Sequence, residues 1–290
     1  MAEAAGLARL DEGEADPLRA SSRGVGELIC DALDKGIRKF IVGIGGSATN
    51  DMGMGLLHAL GYRFLDQRGQ VMSPSGESMA HVASIDRSGV HPALEKAQFS
   101  VACDVLNPLY GNEGAAHVFA PQKGADKKTV DVLDEGLRHL SRMAALHTGA
   151  KENLPRDGAA GGLGAGLRMF LGADLRSGFE VVYETSGIGA ALKKADMVVT
   201  GEGKIDKQTL MEKAPYGLAK KAQASGVRVI ALAGRVDMPS DMREDTPFDI
   251  MMGTFEGDTG NQAVPSREKA KENLIALASR AAKLLQAKKL

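Results

Sequence analysis

Residues 39–51 read KFIVGIGGSATND and decide the predicted fold. The first half, 39–44, is a short apolar run of β-forming residues that ends in glycines. This pattern is typical of a strand buried on both faces of a parallel sheet. The second half supplies a glycine loop followed by Ser, Thr and Asn, the residue types that cap helices. We therefore expect a strand, a tight loop and a helix in this order.

The segments on either side continue the alternation of helices and strands. A helical pattern at 26–35 precedes the strand, and a helix at 51–60 and a strand at 62–65 follow it. Between 66 and 99, turn clusters predict hairpins and loops. Further helices are predicted at 129–147, 216–225 and 266–285, and further strands at 99–105, 196–200, 227–233 and 248–252. This order indicates an α/β fold with parallel sheets and crossover helices.

Composition excludes several classes of partner. The 290 residues include 36 Lys and Arg against 37 Asp and Glu, a net charge of −1. Nucleic acids and anionic membranes attract clustered positive charge, so this balance argues against both. With 8 Phe, 4 Tyr and no Trp, the chain also lacks the rings that stack unpaired bases. Its 36 glycines among 290 residues are a larger share than the usual ~7% and indicate many tight turns and backbone-lined sites.

Cysteine and histidine usage points to a reducing compartment and to no zinc. Cys30 and Cys103 fit no disulfide framework or metal spacing, and the six His form no paired ligand spacing. The first twenty residues carry acids where a signal peptide needs a basic start and an apolar block. We expect a cytoplasmic protein that binds a small molecule rather than a membrane. The sequence leaves a homo-oligomer open.

The loop at 43–51 is the first candidate site. Gly45 and Gly46 let backbone N–H groups approach an anion, and the start of the next helix adds partial positive charge. Two other interpretations stay open: a tight turn with a capped helix, and a dinucleotide site in which 43–48 match G-x-G-x-x-A and Asp66 ends the next strand. Walker and protein-kinase motifs are absent from the sequence. The polar residues of the loop are Ser47, Thr49, Asn50 and Asp51.

The charged segment TGEGKID at 200–206 is the second candidate. We expect it to form a turn just past the carboxyl end of the strand at 196–200, where ligands bind in open α/β sheets. Glu202 and Asp206 are candidate Mg²⁺ ligands, and Lys204 could meet phosphate oxygens. Gly201 and Gly203 would bring the backbone close to whatever is bound. The alternative is a solvated charged turn.

Asp104 and Lys123 are further candidates from the middle of the chain. Asp104 stands at the end of a predicted strand beside an Asn-Pro turn, so it could be a metal ligand, a general base or a turn cap. Lys123 offers a cation before a helix, with solvation at the surface as its alternative. Cys103 has no basic neighbour in the sequence and is expected to pack in the strand rather than act as a nucleophile.

Taken together, these segments resemble the bacterial glycerate kinases, which phosphorylate D-glycerate with ATP. The strings that carry the resemblance are SRGVGEL at 22–28, GIGGSATND at 43–51, VACDVLNPLYG at 101–111, FAPQKGAD at 119–126, GAAGGLGAGL at 158–167 and TGEGKID at 200–206. The resemblance implies ATP and Mg²⁺ as cofactors and D-glycerate as substrate, with 2-phosphoglycerate favoured over 3-phosphoglycerate as product. Arg23 could clamp the carboxylate of the substrate, because its planar fork matches one.

The resemblance groups the candidate residues by role. The catalytic candidates are Asp51, Asp104, Lys204 and Asp206. The substrate- and nucleotide-binding candidates are Arg23, Gly45, Gly46, Ser47, Thr49, Asn50, Lys123, Gly162, Gly201, Glu202 and Gly203. The metal candidates are Glu202 and Asp206.

The resemblance also implies a domain plan. Family members have a Rossmann-like domain built from both ends of the chain and a second α/β domain inserted into it. Residues 1–187 would be the insert, and 188–290 the C-terminal part of the Rossmann-like domain. Roughly ninety residues that complete that domain would then be missing before Met1, which would leave an unpaired sheet edge. Two further alternatives are an NAD-dependent oxidoreductase that uses GIGGSA, and an inactive fragment or partner subunit.

Overall fold

The computed structural model describes residues 1–207, 209–210, 213–239, 242, 245–256 and 266–287. It divides into two compact units, Met1–Gly178 and Phe179–Leu290. The predicted boundary was at 187/188, within the same stretch of short helices. Both units combine helices with a parallel sheet, which confirms the α/β class. In the described part of the chain, no helix combines the length and the hydropathy needed to cross a membrane.

The first unit is built around one parallel sheet. Its helices are α1 (Ala2–Ala5), α2 (Arg23–Asp34), α3 (Met54–Ala59), α4 (Ala115–Phe119), α5 (Lys127–Thr148) and α6 (Leu163–Leu171). Its strands are β1 (Lys39–Gly43), β2 (Arg63–Leu65), β3 (Ser84–Asp86), β4 (Gln98–Ala102) and β5 (Asp174–Arg176). Short 3-10 helices lie at Leu7–Arg9, Glu77–His81, Pro92–Lys96 and Pro121–Lys123. The sheet order is β1-β4-β5, and β2 and β3 form a separate antiparallel pair.

Strand β1 lies at the edge of its sheet. It pairs in parallel with β4, with Ile41 opposite Ser100. Val42 is buried, but Ile41 is 57% exposed. The prediction that this strand is buried on both faces was therefore wrong. The central position belongs to β4, whose Phe99 and Val101 are buried; an apolar run alone does not show which strand of a parallel sheet is central.

The predicted helices of the first unit are present with small shifts in their bounds. Helix α5 begins where Asp126 accepts a hydrogen bond from the Thr129 amide and ends at Gly149, whose φ is 74°. Its apolar stripe is buried, as the period of 3.6 predicts. In α2 the buried stripe contains Ile29 and Leu33, whereas Leu28 is 62% exposed.

Helix α6 begins inside the glycine-rich string GAAGGLGAGL at 158–167. The glycines are there because the helix lies against other backbone. A Cβ on Gly164 would stand 2.5 Å from the Arg156 carbonyl oxygen, and one on Gly166 would stand 2.2 Å from that of Met52. The glycines therefore permit close packing, and the helix forms despite their low helix propensity.

The second unit has helices on both faces of a parallel sheet. Its elements are α7 (Gly178–Thr185), α8 (Ile188–Leu192), β6 (Met197–Ile205), α9 (Ala214–Ala224), β7 (Arg228–Val236), β8 (Ile250–Glu256) and α10 (Arg267–Ala287). The sheet order is β6-β7-β8. Helix α9 buries Ala219 and Ala222 in one apolar cluster, and α10 packs Leu277 against Ile230 in another. The predicted parallel units with crossover helices are confirmed here.

Strand β6 is longer than predicted and includes most of the charged segment at 200–206. It continues to Ile205 and pairs with β7 through Lys204, opposite Arg235. The prediction of a turn beginning at residue 200 was wrong. A Cβ on Gly201 would stand 2.2 Å from the Leu232 carbonyl oxygen, so this glycine allows close strand pairing rather than chain reversal. Strand β6 is at the edge of the described sheet, and Val199 is 61% exposed.

Candidate functional site

The loops that follow β1 and β4 border a cavity of about 380 Å³ in the first unit. The two strands are parallel neighbours, so their carboxyl ends lie at the same edge of the sheet, where open α/β sheets bind ligands. Most of the lining is apolar, with a few polar groups, as in other small-molecule sites. The lining residues are Leu7, Ile44, Gly45, Gly46, Ser47, Ala102, Cys103, Asp104, Val105, Phe119, Gln122, Lys123, Ala159 and Ala160.

The glycine loop exposes its backbone to this cavity. A Cβ on Gly45 would meet nothing within 4 Å, and Gly46 has a φ of 72°, which favours glycine. The loop is held by the N-terminal segment. The Leu7 amide donates to the Gly46 carbonyl at 3.0 Å, and the Ala48 amide donates to the Ala5 carbonyl at 3.0 Å. The backbone that borders the cavity is therefore fixed before any ligand binds.

Lys123 supplies a buried positive charge to the cavity. Its side chain is 2% exposed, and Nζ donates to Ser47 Oγ at 2.8 Å and to the Thr49 carbonyl at 2.7 Å. Burial lowers the pKa of Lys123 to about 8, and the charge of Asp51 partly opposes this shift. An ammonium group with so little water around it gains free energy from an anion beside it.

Asp51 lies behind the loop and does not line the cavity. It is fully buried, and Oδ2 accepts hydrogen bonds from the Ser22 amide and hydroxyl, both at 2.8 Å, and from the Gly55 amide at 3.1 Å. Oδ1 accepts a bond from the Gly53 amide at 3.1 Å. These four donors fill about four acceptor positions of a carboxylate, so the observed role of Asp51 is to hold the loop and the start of α3.

Thr49 and Asn50 are also buried behind the loop. Thr49 Oγ1 and both polar atoms of the Asn50 amide have no hydrogen-bond partner among the described residues. Neither side chain lines the cavity. Of the polar residues predicted in this loop, Ser47 alone therefore reaches the cavity with its side chain.

Asp104 lines the same cavity from the end of β4. Its side chain is exposed, and Oδ1 accepts a hydrogen bond from the Gly178 amide at 2.7 Å. The preceding Cys103 is 4% exposed, and burial raises the pKa of its thiol. The Arg156 guanidinium donates to the Cys103 carbonyl oxygen. Cys103 is thus packed as predicted, while Asp104 is accessible.

Two further binding candidates, Arg23 and Gly162, also lie away from the cavity. Arg23 is exposed on α2, and its Nε donates to Glu27 Oε1 at 2.8 Å. Gly162 has a φ of 88° and precedes α6, where a Cβ would stand 2.8 Å from Leu109 Cδ1. Asp66 accepts the amides of Arg68 and Gln70 in a turn and does not line the cavity either, which removes the acidic partner of the dinucleotide interpretation.

Several residues that form the cavity wall were not predicted from the sequence. Leu7, Phe119, Gln122, Ala159 and Ala160 all line it. Phe119 and Gln122 belong to the string FAPQKGAD, so their proximity to Lys123 in sequence was a usable signal. Leu7 gave no signal, because its position depends on the pairing between residues near 6 and 47.

In the second unit, the charged segment forms a network at the carboxyl end of β6. Thr209 Oγ1 donates to Glu202 Oε1 at 2.5 Å and accepts a hydrogen bond from the Asp206 amide at 3.0 Å. Lys213 Nζ lies 4.0 Å from Glu202 Oε2. Glu202 and Asp206 are therefore joined through one hydroxyl group. Gly203 lies in the strand between Glu202 and Lys204.

Lys204 connects two carboxylates that follow neighbouring strands. Its Nζ lies 3.2 Å from Asp206 Oδ2 and 3.0 Å from Asp237 Oδ2. The hydrogen bonds to Asp237 and Asp206 raise the pKa of Lys204, and the bond from Lys204 lowers the pKa of Asp237. Asp237 was not predicted, although it comes directly after β7. Among the described residues, no three His, Cys, Asp or Glu side chains converge as a metal-binding group.

Comparison with known proteins identifies the relatives of this chain. A profile of the "Glycerate kinase family" matches residues 1–286. "Glycerate kinase" from Bacillus subtilis strain 168 is 43% identical over 258 residues, which cover 89% of this chain and 68% of that protein. "Glycerate 2-kinase" from Escherichia coli K12 is 44% identical over 236 residues, which cover 81% of this chain and 62% of that protein.

A solved structure is similar over the whole chain. The crystal structure assigned to glycerate kinase 2 from Salmonella typhimurium LT2 has a TM-score of 0.83 and 38% identity, covering 100% of this chain and 75% of that one. The match to Halalkalibacterium halodurans "Glycerate kinase", at 46% identity over 235 residues, spans 62% of that protein. The family profile matches from residue 1 and does not support the expected missing segment before it.

Proposed function

This chain belongs to the glycerate kinase family, and from that premise we propose that it transfers the γ-phosphoryl group of ATP to a hydroxyl group of D-glycerate. We take 2-phosphoglycerate as the product, because the E. coli relative is named a glycerate 2-kinase. The observation that carries the proposal is the cavity that Lys123 and Asp104 line at the carboxyl edge of a parallel sheet.

Phosphoryl transfer makes modest demands on a protein. It requires that the two substrates be positioned and that the developing charge be neutralised. The preset backbone of Gly45 and Gly46 and the buried ammonium of Lys123 can position an anion. Asp104 is the described carboxylate at the cavity, so we assign it the proton of the attacking hydroxyl group. The hydroxyl oxygen then forms a bond to the γ-phosphorus, and the bond to the leaving ADP oxygen breaks.

We assign magnesium binding to the predicted ligands of the second unit. Glu202 and Asp206 offer the carboxylate oxygens that Mg²⁺ prefers, and Mg²⁺ commonly uses one or two carboxylates together with water and phosphate oxygens. Their donor set therefore fits the ion even though no larger group of acids converges among the described residues. When bound, Mg²⁺ would neutralise phosphate charge. Lys204 and Lys213 currently pair with these carboxylates and would have to share them.

An assay of ADP release tests the proposal. We expect the 290-residue chain to release ADP from MgATP when D-glycerate is present, and ³¹P NMR to show phosphate on the 2-hydroxyl group. A reaction with L-glycerate and a reaction without any glycerate serve as controls. No ADP release above these controls would contradict the proposal and favour the inactive fragment. A rise in melting temperature with NAD but not with MgATP would instead favour the oxidoreductase.

Location and assembly remain predictions from the sequence. We propose a cytoplasmic location from the two free cysteines, which fit a reducing compartment. Self-association stays open, and size-exclusion chromatography with light scattering would measure it.

A further inference from the structure

We infer that the cavity of the first unit binds the hydroxy-acid substrate rather than the nucleotide, with the carboxylate of the acid at Lys123 and a hydroxyl group at Asp104. This inference rests on the proposed function and goes further, because it assigns one substrate to one cavity and fixes its orientation. Three features of the cavity support it: the number of charged side chains, the unused donor on Lys123 and the position of Asp104.

The charges of the lining match a single carboxylate. Among the lining residues, Lys123 is the cation and Asp104 is the anion. One buried ammonium can neutralise one carboxylate, whereas a triphosphate carries several negative charges. It would meet one cation and would also be repelled by Asp104. The remaining side chains of the wall are neutral and add no further positive charge for the phosphates.

Lys123 has one donor left for the ligand. An ammonium group has three N–H donors, and the structure assigns two of them, to Ser47 Oγ and to the Thr49 carbonyl. The third can bind a carboxylate oxygen without breaking either bond. The two existing bonds also fix the direction of the side chain, so little side-chain entropy remains to be lost on binding.

Asp104 fixes the rest of the substrate's orientation, because its charge is opposite to that of Lys123. Its Oδ1 accepts the Gly178 amide, and a carboxylate has about four acceptor positions, so capacity remains for a substrate hydroxyl group. A carboxylate repels the acid end of the substrate and accepts from its alcohol end. The lining therefore offers one charged group for each functional group of a hydroxy acid, and the cavity should discriminate against glycerol, which lacks the carboxylate.

Hydrogen–deuterium exchange on the wild-type chain tests the assignment without a substitution. We expect D-glycerate alone to slow amide exchange in peptides covering 41–51 and 119–126, and MgATP alone to leave these peptides unchanged. The opposite pattern, protection of these peptides by MgATP and not by D-glycerate, would overturn the inference.

Titration calorimetry with three variants tests the role of Lys123. Lys123→Met should weaken D-glycerate binding about tenfold or more, since it removes a charged hydrogen bond, and should change the Kd of MgATP less than twofold. Lys123→Arg keeps the charge and should recover part of the loss. Lys128→Met is the matched control, because Lys128 is exposed on the neighbouring helix α5 and should not change either Kd.

The outcomes separate this inference from the proposed function. A wild-type chain that neither binds nor phosphorylates D-glycerate would contradict the proposed function itself. If the wild-type chain phosphorylates D-glycerate but Lys123→Met weakens the binding of MgATP alone, this inference is overturned and the proposed function stands. If Lys123→Met does not fold, the exchange experiment on the wild type decides.

Discussion

Lys123 Nζ and Ser47 Oγ are 2.8 Å apart, although 76 positions separate the two residues in the sequence. This hydrogen bond joins the loop after β1 to the 3-10 helix Pro121–Lys123, and both segments border the same cavity. The bond therefore couples the shape of the glycine loop to the position of a buried charge.

Stability should depend on pH through Lys123. Its pKa is about 8 in the folded chain, below the ordinary lysine value of 10.5, so the unfolded chain binds more protons between these pH values. The free energy of unfolding of the wild type relative to Lys123→Met should then rise by about 3 kcal/mol from pH 8 to 10.5. Urea unfolding at a series of pH values measures this difference.

Taking the difference in unfolding free energy between the wild type and Lys123→Met removes the contribution of other titratable groups. Burial raises the pKa values of Cys30 and Cys103, so their titration lowers stability above about pH 9 in both proteins. A difference that stays flat, or that falls as the pH rises, would show that Lys123 is not buried as a charged group.

Asp51→Asn should destabilise the first unit. The substitution places an amide that donates hydrogen bonds among four groups that also donate. Each buried donor left unsatisfied costs about 1–3 kcal/mol, so we expect a loss of about 3 kcal/mol in urea unfolding. Asp31→Asn is the control, since Asp31 is an exposed residue of α2. Equal stability of the two variants would refute the loop-holding role of Asp51.

Asp104→Asn should lower kcat by about 10²-fold and change the KM for D-glycerate much less, because the amide can still bind a hydroxyl group but cannot take its proton. Steady-state kinetics with saturating MgATP measure both constants. Asp131→Asn, an exposed site on α5, is the control and should behave as the wild type. An unchanged kcat for Asp104→Asn would remove this residue from the proton transfer.

Asp206→Asn should weaken the binding of magnesium, so that activity requires a higher Mg²⁺ concentration. If Asp206 holds the ion, the Mg²⁺ concentration for half-maximal rate should rise about tenfold or more at constant ATP. Asp196→Asn is the control, because Asp196 is exposed just before the amino end of the same strand, β6. Unchanged kcat and unchanged Mg²⁺ dependence would exclude Asp206 from the mechanism.

Local sequence signals predicted most of the longer helices and strands and the position of the glycine loop. Helix α5 combines a regular apolar stripe with a capping Asp126, and the loop at 43–51 is marked by its glycines. These patterns arise within one turn of helix or one strand, so the sequence shows them directly. The parallel strands and crossover helices of the second unit were predicted from the same kind of signal. The prediction that Ser47, Thr49 or Asn50 caps the next helix was wrong, because α3 begins after Gly53 without a side-chain cap.

Long-range packing produced the features that the sequence did not show. The edge position of β1 depends on where β4 and β5 pair, and the extension of β6 depends on close approach of Gly201 to Leu232. Lys123 was predicted as a surface cation or a binding residue, but its bonds to the loop at 47–49 come from tertiary structure. Arg23, chosen for its guanidinium group, proved to be exposed and paired with Glu27.

Phe119 in the cavity wall offers a spectroscopic handle. The chain contains no Trp, so Phe119→Trp would introduce a single indole whose emission reports on this cavity without a second indole elsewhere in the chain. Stopped-flow mixing of this variant with D-glycerate or with MgATP would follow binding and release in real time. It would give rate constants, whereas equilibrium titrations give affinities alone.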